Sequence, residues 1–316
     1  MRRAEHVGQA MGSDLHIIVY AGGAGADSLA NLAVTRIALL EDCWSRFRPE
    51  SELNRLNARA GWGETAVSDD LLSLVHACAE AHAWSGGDVD ATVLASMVAM
   101  GYVQDFATVR AAELPLDWQP QPAGGMDAIV IGGGHGGGHH TVTLPSGTGL
   151  DPGAIGKGLA ADIVSAEIMG AGATAVLISL GGDIVTRGTP PDQSAWIVSM
   201  RDDRDPSRPE IQTILLSGAH RAVATSSTLR RRWATRHHVV DPGTGLPVQS
   251  DVVQATVVAE SGVLAEAGAT VALIRGTRCA PWLIERGCTP YLLRTCAPST
   301  PPMQPTPSTP IPRQHV

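Results

Sequence analysis

The sequence predicts an α+β protein in which distant segments converge on one site. Three observations lead there. Short β-rich runs, such as Leu15-His16-Ile17-Ile18-Val19-Tyr20, are interspersed with longer segments of helical periodicity. Glycine is abundant, with 35 residues, and aromatic residues are only 4% of the chain, which suits many tight turns and a core of small side chains. The segments with recognisable chemistry are dispersed from residue 11 to residue 270, so they act together only if the fold gathers them at one site. A chain of 316 residues can bury a core of that size as one large domain or two small ones.

Taken in order, Asp14 to Ala21 alternates and reads as a strand. Asp27 to about Cys43 is an amphipathic helix, and Ser45 to Leu53 a polar loop. Asp69 to Ser85 is a second helix, opened by Ser68 as N-cap and ended by Gly86-Gly87. Residues 112–124, rich in Pro and Gln, connect to a strand at Met126 to Ile131. Gly132 to His140 is rich in Gly and His. No carboxylate or cysteine accompanies it, so a hairpin tip is preferred to a metal tract, with Thr141 to Leu144 as the return strand. A helix follows from Gly158 to about Met169, with Leu159, Ile163, Val164 and Ile168 on its apolar side. Ala173 to Ser179, Ser194 to Met200, Thr213 to Leu216 and Val253 to Ala259 read as strands, and Ala265 to Leu273 as a helix. Residues 1–296 are expected to form the folded domain. Residues 297–316, with repeated Pro, Ser and Thr, cannot supply a core and are expected to be a disordered tail.

Composition excludes several classes. A net charge of −8 argues against binding nucleic acid through its backbone, and the run Arg230-Arg231-Arg232 is too local to reverse that balance. No run of 18 apolar residues occurs, so no membrane insertion is expected. The start of the chain lacks the apolar stretch of a signal peptide. The five cysteines are an odd number without a C-x-x-C pair, which suits reduced thiols in a cytoplasmic protein.

The most informative stretch is Asp151-Pro152-Gly153-Ala154-Ile155-Gly156-Lys157-Gly158. A glycine-rich turn lets backbone N–H groups approach an anion, and a lysine at the start of a helix adds charge to the positive end of the helix dipole. This chain otherwise uses arginine almost everywhere. The stretch is not a P-loop: Asp151 occupies the first glycine position, and Gly158 follows the lysine where a hydroxyl is needed. Four further segments accompany it: Ser179-Leu180-Gly181-Gly182-Asp183, the hydroxyl-rich turn Ala224-Thr225-Ser226-Ser227, His237 to Gly245, and Ala265 to Thr270. The last places Glu266 and Thr270 one turn apart on a helix face, a hard oxygen pair suited to Mg²⁺.

In this order the segments resemble the ApbE-like FAD:protein FMN transferases. The resemblance also takes in Met11-Gly12-Ser13, Ser45-Arg46-Phe47, Ser51-Glu52-Leu53, Asn57 and Val89-Asp90-Ala91-Thr92, and spans roughly residues 10–275. It implies an ApbE-like, T-fold-like architecture of two interlocked subdomains with flavin in the cleft between them. The implied reaction is Mg²⁺-dependent transfer of the FMN half of FAD to a threonine or serine hydroxyl of an acceptor protein with an FMN-binding domain, releasing AMP. Mg²⁺ would be held by Glu266, Thr270 and the backbone of Gly156. Lys157 would neutralise a phosphate oxygen. His238 would be the general base, its unperturbed pKa lying near neutrality, and Asp241 would orient it or serve the metal region. Met11, Phe47, Asp90, Asp183, Thr225, Ser226 and Ser227 would contact FAD.

The sequence departs from the family pattern most importantly at Glu266, which stands where the family has aspartate. Two other readings remain beside the transferase: an FAD pyrophosphatase using the same site with water as acceptor, and a non-catalytic flavin-binding protein in which Glu266 has spoiled the metal site. Structural readings also stay open for His238 as a strand end, Asp241 and Asp183 as turn acceptors, and Glu266 with Thr270 as a helix-surface pair.

Overall fold

The computed structural model describes residues 1–295 apart from 24, 106–116, 134–138, 192, 206, 208–209 and 234–235. The expected tail, the tip of the Gly/His-rich segment and part of the Pro/Gln-rich connection lie outside the described residues.

Seven strands form one sheet in sequence order: β1 (Arg2–Ala10), β2 (Ser13–Ala21), β3 (Ala173–Leu180), β4 (Asp183–Arg187), β5 (His220–Ser227), β6 (Val252–Ala259) and β7 (Thr289–Arg294). Every neighbouring pair is antiparallel. Four long helices, α1 (Gly25–Trp44), α2 (Asp69–Ser85), α3 (Gly156–Gly170) and α4 (Gly262–Arg275), enter as insertions between β2 and β3 and between β6 and β7.

Period-two alternation divides the sheet residues between two faces. Leu15, Ile17, Val19, Val176, Ile178 and Leu180 belong to the main core with the buried sides of the helices. On the other face Ala175, Leu177 and Val223 pack under a hairpin of Trp196–Met200 and Gln212–Leu216, which supplies Trp196, Met200, Ile214 and Leu216. Helices gathered on one face of an antiparallel sheet make this an α+β fold, as expected. A third cluster of Met97, Met100, Tyr102, Trp233 and Val240, with half-buried Phe47 against it, forms outside these two cores.

Local chemistry explains the element ends. Ser68 caps α2 by accepting the Leu71 N–H at 3.2 Å, and Gly86 ends it in the left-handed region at φ 68°. Ser261 caps α4 in the same way. Two tight hairpins, Met11-Gly12 between β1 and β2 and Gly181-Gly182 between β3 and β4, have positive φ at both loop residues, the geometry that matches strand twist.

Some expectations change. Thr225-Ser226-Ser227 is the end of β5, paired with Gln254 to Thr256 of β6, and is not a turn. Met126–Ala128 is a single 3₁₀ turn and only Val130–Gly132 is strand, because the Ala128 and Ile129 N–H groups bond back to Gly125 and Met126. The polar loop ends in a short helix, Glu52–Asn57, capped by Ser51. Val130–Gly132 does pair with His140–Thr143, as hairpin arms should.

Candidate active site

A cleft of about 740 Å³ opens at the hairpin end of the sheet, and a smaller cavity of about 270 Å³ adjoins it. The large cleft is lined by Phe47, Asp90, Lys157, Asp183, Thr225, Ser226, Ser227, His238, Glu266 and Thr270. Met11 and Gly156 line the smaller cavity, and Phe47 and Lys157 line both. The fold therefore gathers residues from Met11 to Thr270 around two adjoining cavities, as the sequence reading required.

Lys157 is the only lysine in the chain. It stands on the first turn of α3, and its ammonium is held between two carboxylates, 2.6 Å from Glu266 Oε1 and 2.7 Å from Asp183 Oδ2. The second Glu266 oxygen accepts the Gly158 N–H at 2.6 Å, and the second Asp183 oxygen accepts the Thr225 N–H at 3.0 Å. Desolvation opposes the lysine's charge, but the two carboxylates outweigh it and raise the Lys157 pKa. Burial, with Asp183 adding to it, pushes the Glu266 carboxyl upward against the pull of Lys157 and the Gly158 N–H.

Glu266 is 3% exposed, which excludes the helix-surface reading. It reaches Lys157 because α3 and α4 cross in backbone contact: a β-carbon added at Gly262 would lie 2.4 Å from the Gly158 carbonyl oxygen. Glycine at both positions lets the helices close to that distance. The Thr270 hydroxyl, one turn on from Glu266, has no protein partner among the described residues.

The turn before α3 is rigid. Asp151 accepts the Gly153 N–H at 2.9 Å and pairs with Arg46 Nε at 2.8 Å, and the Ile155 and Gly156 N–H groups both bond to the Pro152 carbonyl. The Arg46 guanidinium lies 4.1 Å from the Phe47 ring centre and 4.5 Å from that of Tyr102, so the ion pair also fixes an aromatic wall of the cleft. Asp90 accepts the Thr92 N–H and hydroxyl at 2.7 and 2.6 Å.

Two expectations need correction. Asp241 lines neither cavity. Its carboxylate accepts the Gly243 N–H at 2.9 Å and its carbonyl the Gly245 N–H at 2.8 Å, so the Asp-Pro-Gly-Thr-Gly run is spent on its own turn. His238 does line the cleft, but it does not titrate near neutrality. Burial first, then the positive charges of Arg231, His237 and Lys157, push its pKa from the usual 6.5 down to about 3. Its Nδ1 is buried without a partner among the described residues. The reading of residue types also missed Asp151, Tyr102, Ser13 and Arg231 as lining residues. Arg231 was visible in the arginine run, but its left-handed backbone, φ 46°, leaves no mark in a sequence.

The model of the ApbE family matches residues 11–292. The chain belongs to the ApbE family. It is 26% identical over 263 residues to a Vibrio cholerae protein named FAD:protein FMN transferase, covering 80% of this chain and 75% of the relative. A Treponema pallidum protein of the same name is 28% identical over 254 residues, covering 73% and 67%. Among solved structures, the ApbE protein of Thermotoga maritima superposes with a TM-score of 0.78 at 20% identity, covering 93% of this chain and 94% of the other. The flavin transferase ApbE of Vibrio cholerae gives 0.74 at 22% identity with the same coverage. These likenesses establish the ApbE fold for this chain. Among the described residues no helix is long and apolar enough to cross a membrane.

Proposed function

We propose that this chain is an FAD:protein FMN transferase, as its curated relatives are named. The hydroxyl oxygen of a threonine or serine on an acceptor protein forms a bond to the FMN phosphorus of FAD. The bond from that phosphorus to the bridging oxygen breaks, AMP leaves with that oxygen, and the hydroxyl proton passes to a base. The observation that carries the reading is the buried Lys157 ammonium between Glu266 and Asp183 in a cleft large enough for a flavin. Phosphoryl transfer of this kind needs positioning and charge neutralisation more than covalent help from the protein.

The corner fits a divalent cation such as Mg²⁺. Glu266 and Asp183 already hold one positive charge between them, the Thr270 hydroxyl has no partner among the described residues, and all three offer hard oxygen donors. Glu266, Thr270 and the Gly156 carbonyl would hold the ion, with water completing its shell. When bound, it would neutralise charge developing on the diphosphate.

The chain's own residues do the rest. Lys157 donates to a phosphate oxygen from the positive end of α3. Phe47 and Met11 wall the flavin ring, with Asp90 and the hydroxyls of Thr225, Ser226 and Ser227 offering polar contacts. His238, neutral when the cleft is empty, keeps an acceptor lone pair for the incoming hydroxyl. The negative diphosphate favours its protonated form and so strengthens it as a base once substrate is bound.

The test is incubation with FAD and Mg²⁺, with and without a protein carrying an FMN-binding domain. Acceptor-dependent release of AMP, with FMN added to the acceptor by mass spectrometry, is expected. Equal AMP release without acceptor would make the enzyme a pyrophosphatase, and none in either case would leave only flavin binding.

A further inference from the structure

Most cations around the two cavities are already paired. Lys157 is held by two carboxylates, Arg46 by Asp151, Arg230 by Asp203 and Arg48 by Glu41. The corner formed by Lys157, Glu266 and Asp183 thus carries a net negative charge when both acids are ionised. Arg201 has no carboxylate partner among the described residues, but it is exposed and touches only the large cleft.

Arg231 differs from all of these. Like Lys157 and Arg46 it lines both cavities, and it lies close enough to His238 and Tyr102 for its charge to act on each. Its one side-chain bond is from Nη2 to Ser13 Oγ at 3.2 Å, and it has no carboxylate partner among the described residues. Its backbone stands in the left-handed region at φ 46°, which disfavours a residue with a β-carbon. Ser13, which holds its guanidinium, follows the strained Met11-Gly12 hairpin directly. A guanidinium without a carboxylate partner among the described residues, on the wall shared by two cavities, suits a doubly charged ligand that spans both.

We propose that Arg231 is the residue that binds the diphosphate of FAD, its guanidinium taking phosphate oxygens at the junction of the two cavities. The inference rests on the transferase reading, since it takes FAD as the ligand. Guanidinium matches phosphate bidentately, whereas an ammonium acts as a point charge. Lys157, drawn to Glu266 and Asp183, cannot alone offset the two negative charges FAD brings.

The experiment is equilibrium binding by flavin fluorescence in the presence of a chelator, so that neither metal nor turnover contributes. FAD and riboflavin are compared on the wild type, R231M and R231K. R231M is expected to lose roughly 10- to 100-fold in FAD affinity, the size of a buried charge-assisted hydrogen bond, while riboflavin, which has no phosphate, binds unchanged. R231K recovers part of the loss. Added salt weakens FAD binding to the wild type more than to R231M. If R231M fails to fold by circular dichroism, R231Q, which keeps a donor for Ser13 without the charge, carries the same comparison. Unchanged FAD affinity in R231M or R231Q, or equal losses for FAD and riboflavin, would overturn the proposal. A wild type that binds riboflavin but shows no preference for FAD would do so as well. A wild type that binds no flavin at all would instead overturn the transferase reading.

Discussion

Glu266→Asp restores the carboxylate that the ApbE pattern has at this position, yet the structure predicts that it damages the site. Removing one methylene withdraws the carboxylate by about 1.5 Å. Both of its bonds, to Lys157 Nζ and to the Gly158 N–H, are 2.6 Å long. With the backbone fixed they open to roughly 4 Å, beyond hydrogen-bonding range. The backbone cannot follow, because Gly158 and Gly262 already touch and α4 has no room to advance on α3. A buried charge-assisted hydrogen bond contributes about 1.5–3 kcal/mol. Lys157 keeps Asp183 at 2.7 Å, and the shortened acid still lies nearby, so the net loss is about 2–4 kcal/mol. For a chain of this size that lowers Tm by roughly 3–6 °C. The assay is thermal unfolding in a chelator, which removes any stabilisation by bound metal, paired with AMP release at saturating FAD and Mg²⁺. Both stability and turnover should fall. A variant as stable as the wild type, or one that turns over faster, would show that the helix spacing is not what makes glutamate the fitting residue.

Three further outcomes are expected. Gly262→Ala, whose β-carbon would sit 2.4 Å from the Gly158 carbonyl, should cost about 1–3 kcal/mol of overpacking strain in urea unfolding. Because the folded pKa of His238 is lowered to about 3, the unfolded chain binds a proton below pH 6.5 that the folded chain refuses. The His238 contribution to stability should therefore be nearly constant above about pH 7 and fall by up to about 2 kcal/mol by pH 5, while the raised Glu266 carboxyl contributes with the opposite sign, so the difference between wild type and His238→Asn isolates the histidine part of the slope. An amine-reactive reagent at neutral pH should label the N-terminus of the folded protein and reach Lys157 only on unfolding, since that side chain is 19% exposed and twice ion-paired; rapid native labelling of Lys157 in a peptide map would contradict the geometry.

Where local chemistry decides an element, the sequence was readable. Asp69–Ser85 begins at the serine and ends at the glycine that capping chemistry requires. Where a partner segment decides, it was not. β1 is a polar edge strand with one neighbour, so its alternation is weak, and only pairing with β2 makes it a strand. Thr225-Ser226-Ser227 has turn-like composition but continues β5 because β6 pairs along it and Asp183 accepts the Thr225 N–H. At the site, the ordered motifs pointed to the residues that line the cleft, while their electrostatics stayed hidden. The depressed pKa of His238 comes from burial and from Arg231 and Lys157, which lie 7 and 81 positions away. Asp241 shows the reverse case: its neighbours alone specify the turn that occupies it.

Two kinds of support meet in this cleft. The charged corner rests on the crossing of α3 and α4, where glycine on glycine leaves no freedom and fixes how far an acidic side chain must reach. The neighbouring wall rests on hairpins with positive φ, and there the chain accepts strain. Met11 at φ 52° sits where glycine would be comfortable, at a cost of about 1 kcal/mol. Its N–H is anchored to Glu41 at 2.9 Å, and its side chain packs on the core while lining the smaller cavity. Arg231 repeats the pattern beside it. The two non-glycine residues with positive φ among those described both line the same cavity. Glycine would relieve the backbone at each position but would remove an apolar wall at one and a cation at the other. On the proposed reading, the strain falls where side chains meet the ligand, whereas the corner holds side chains that the fold needs as well.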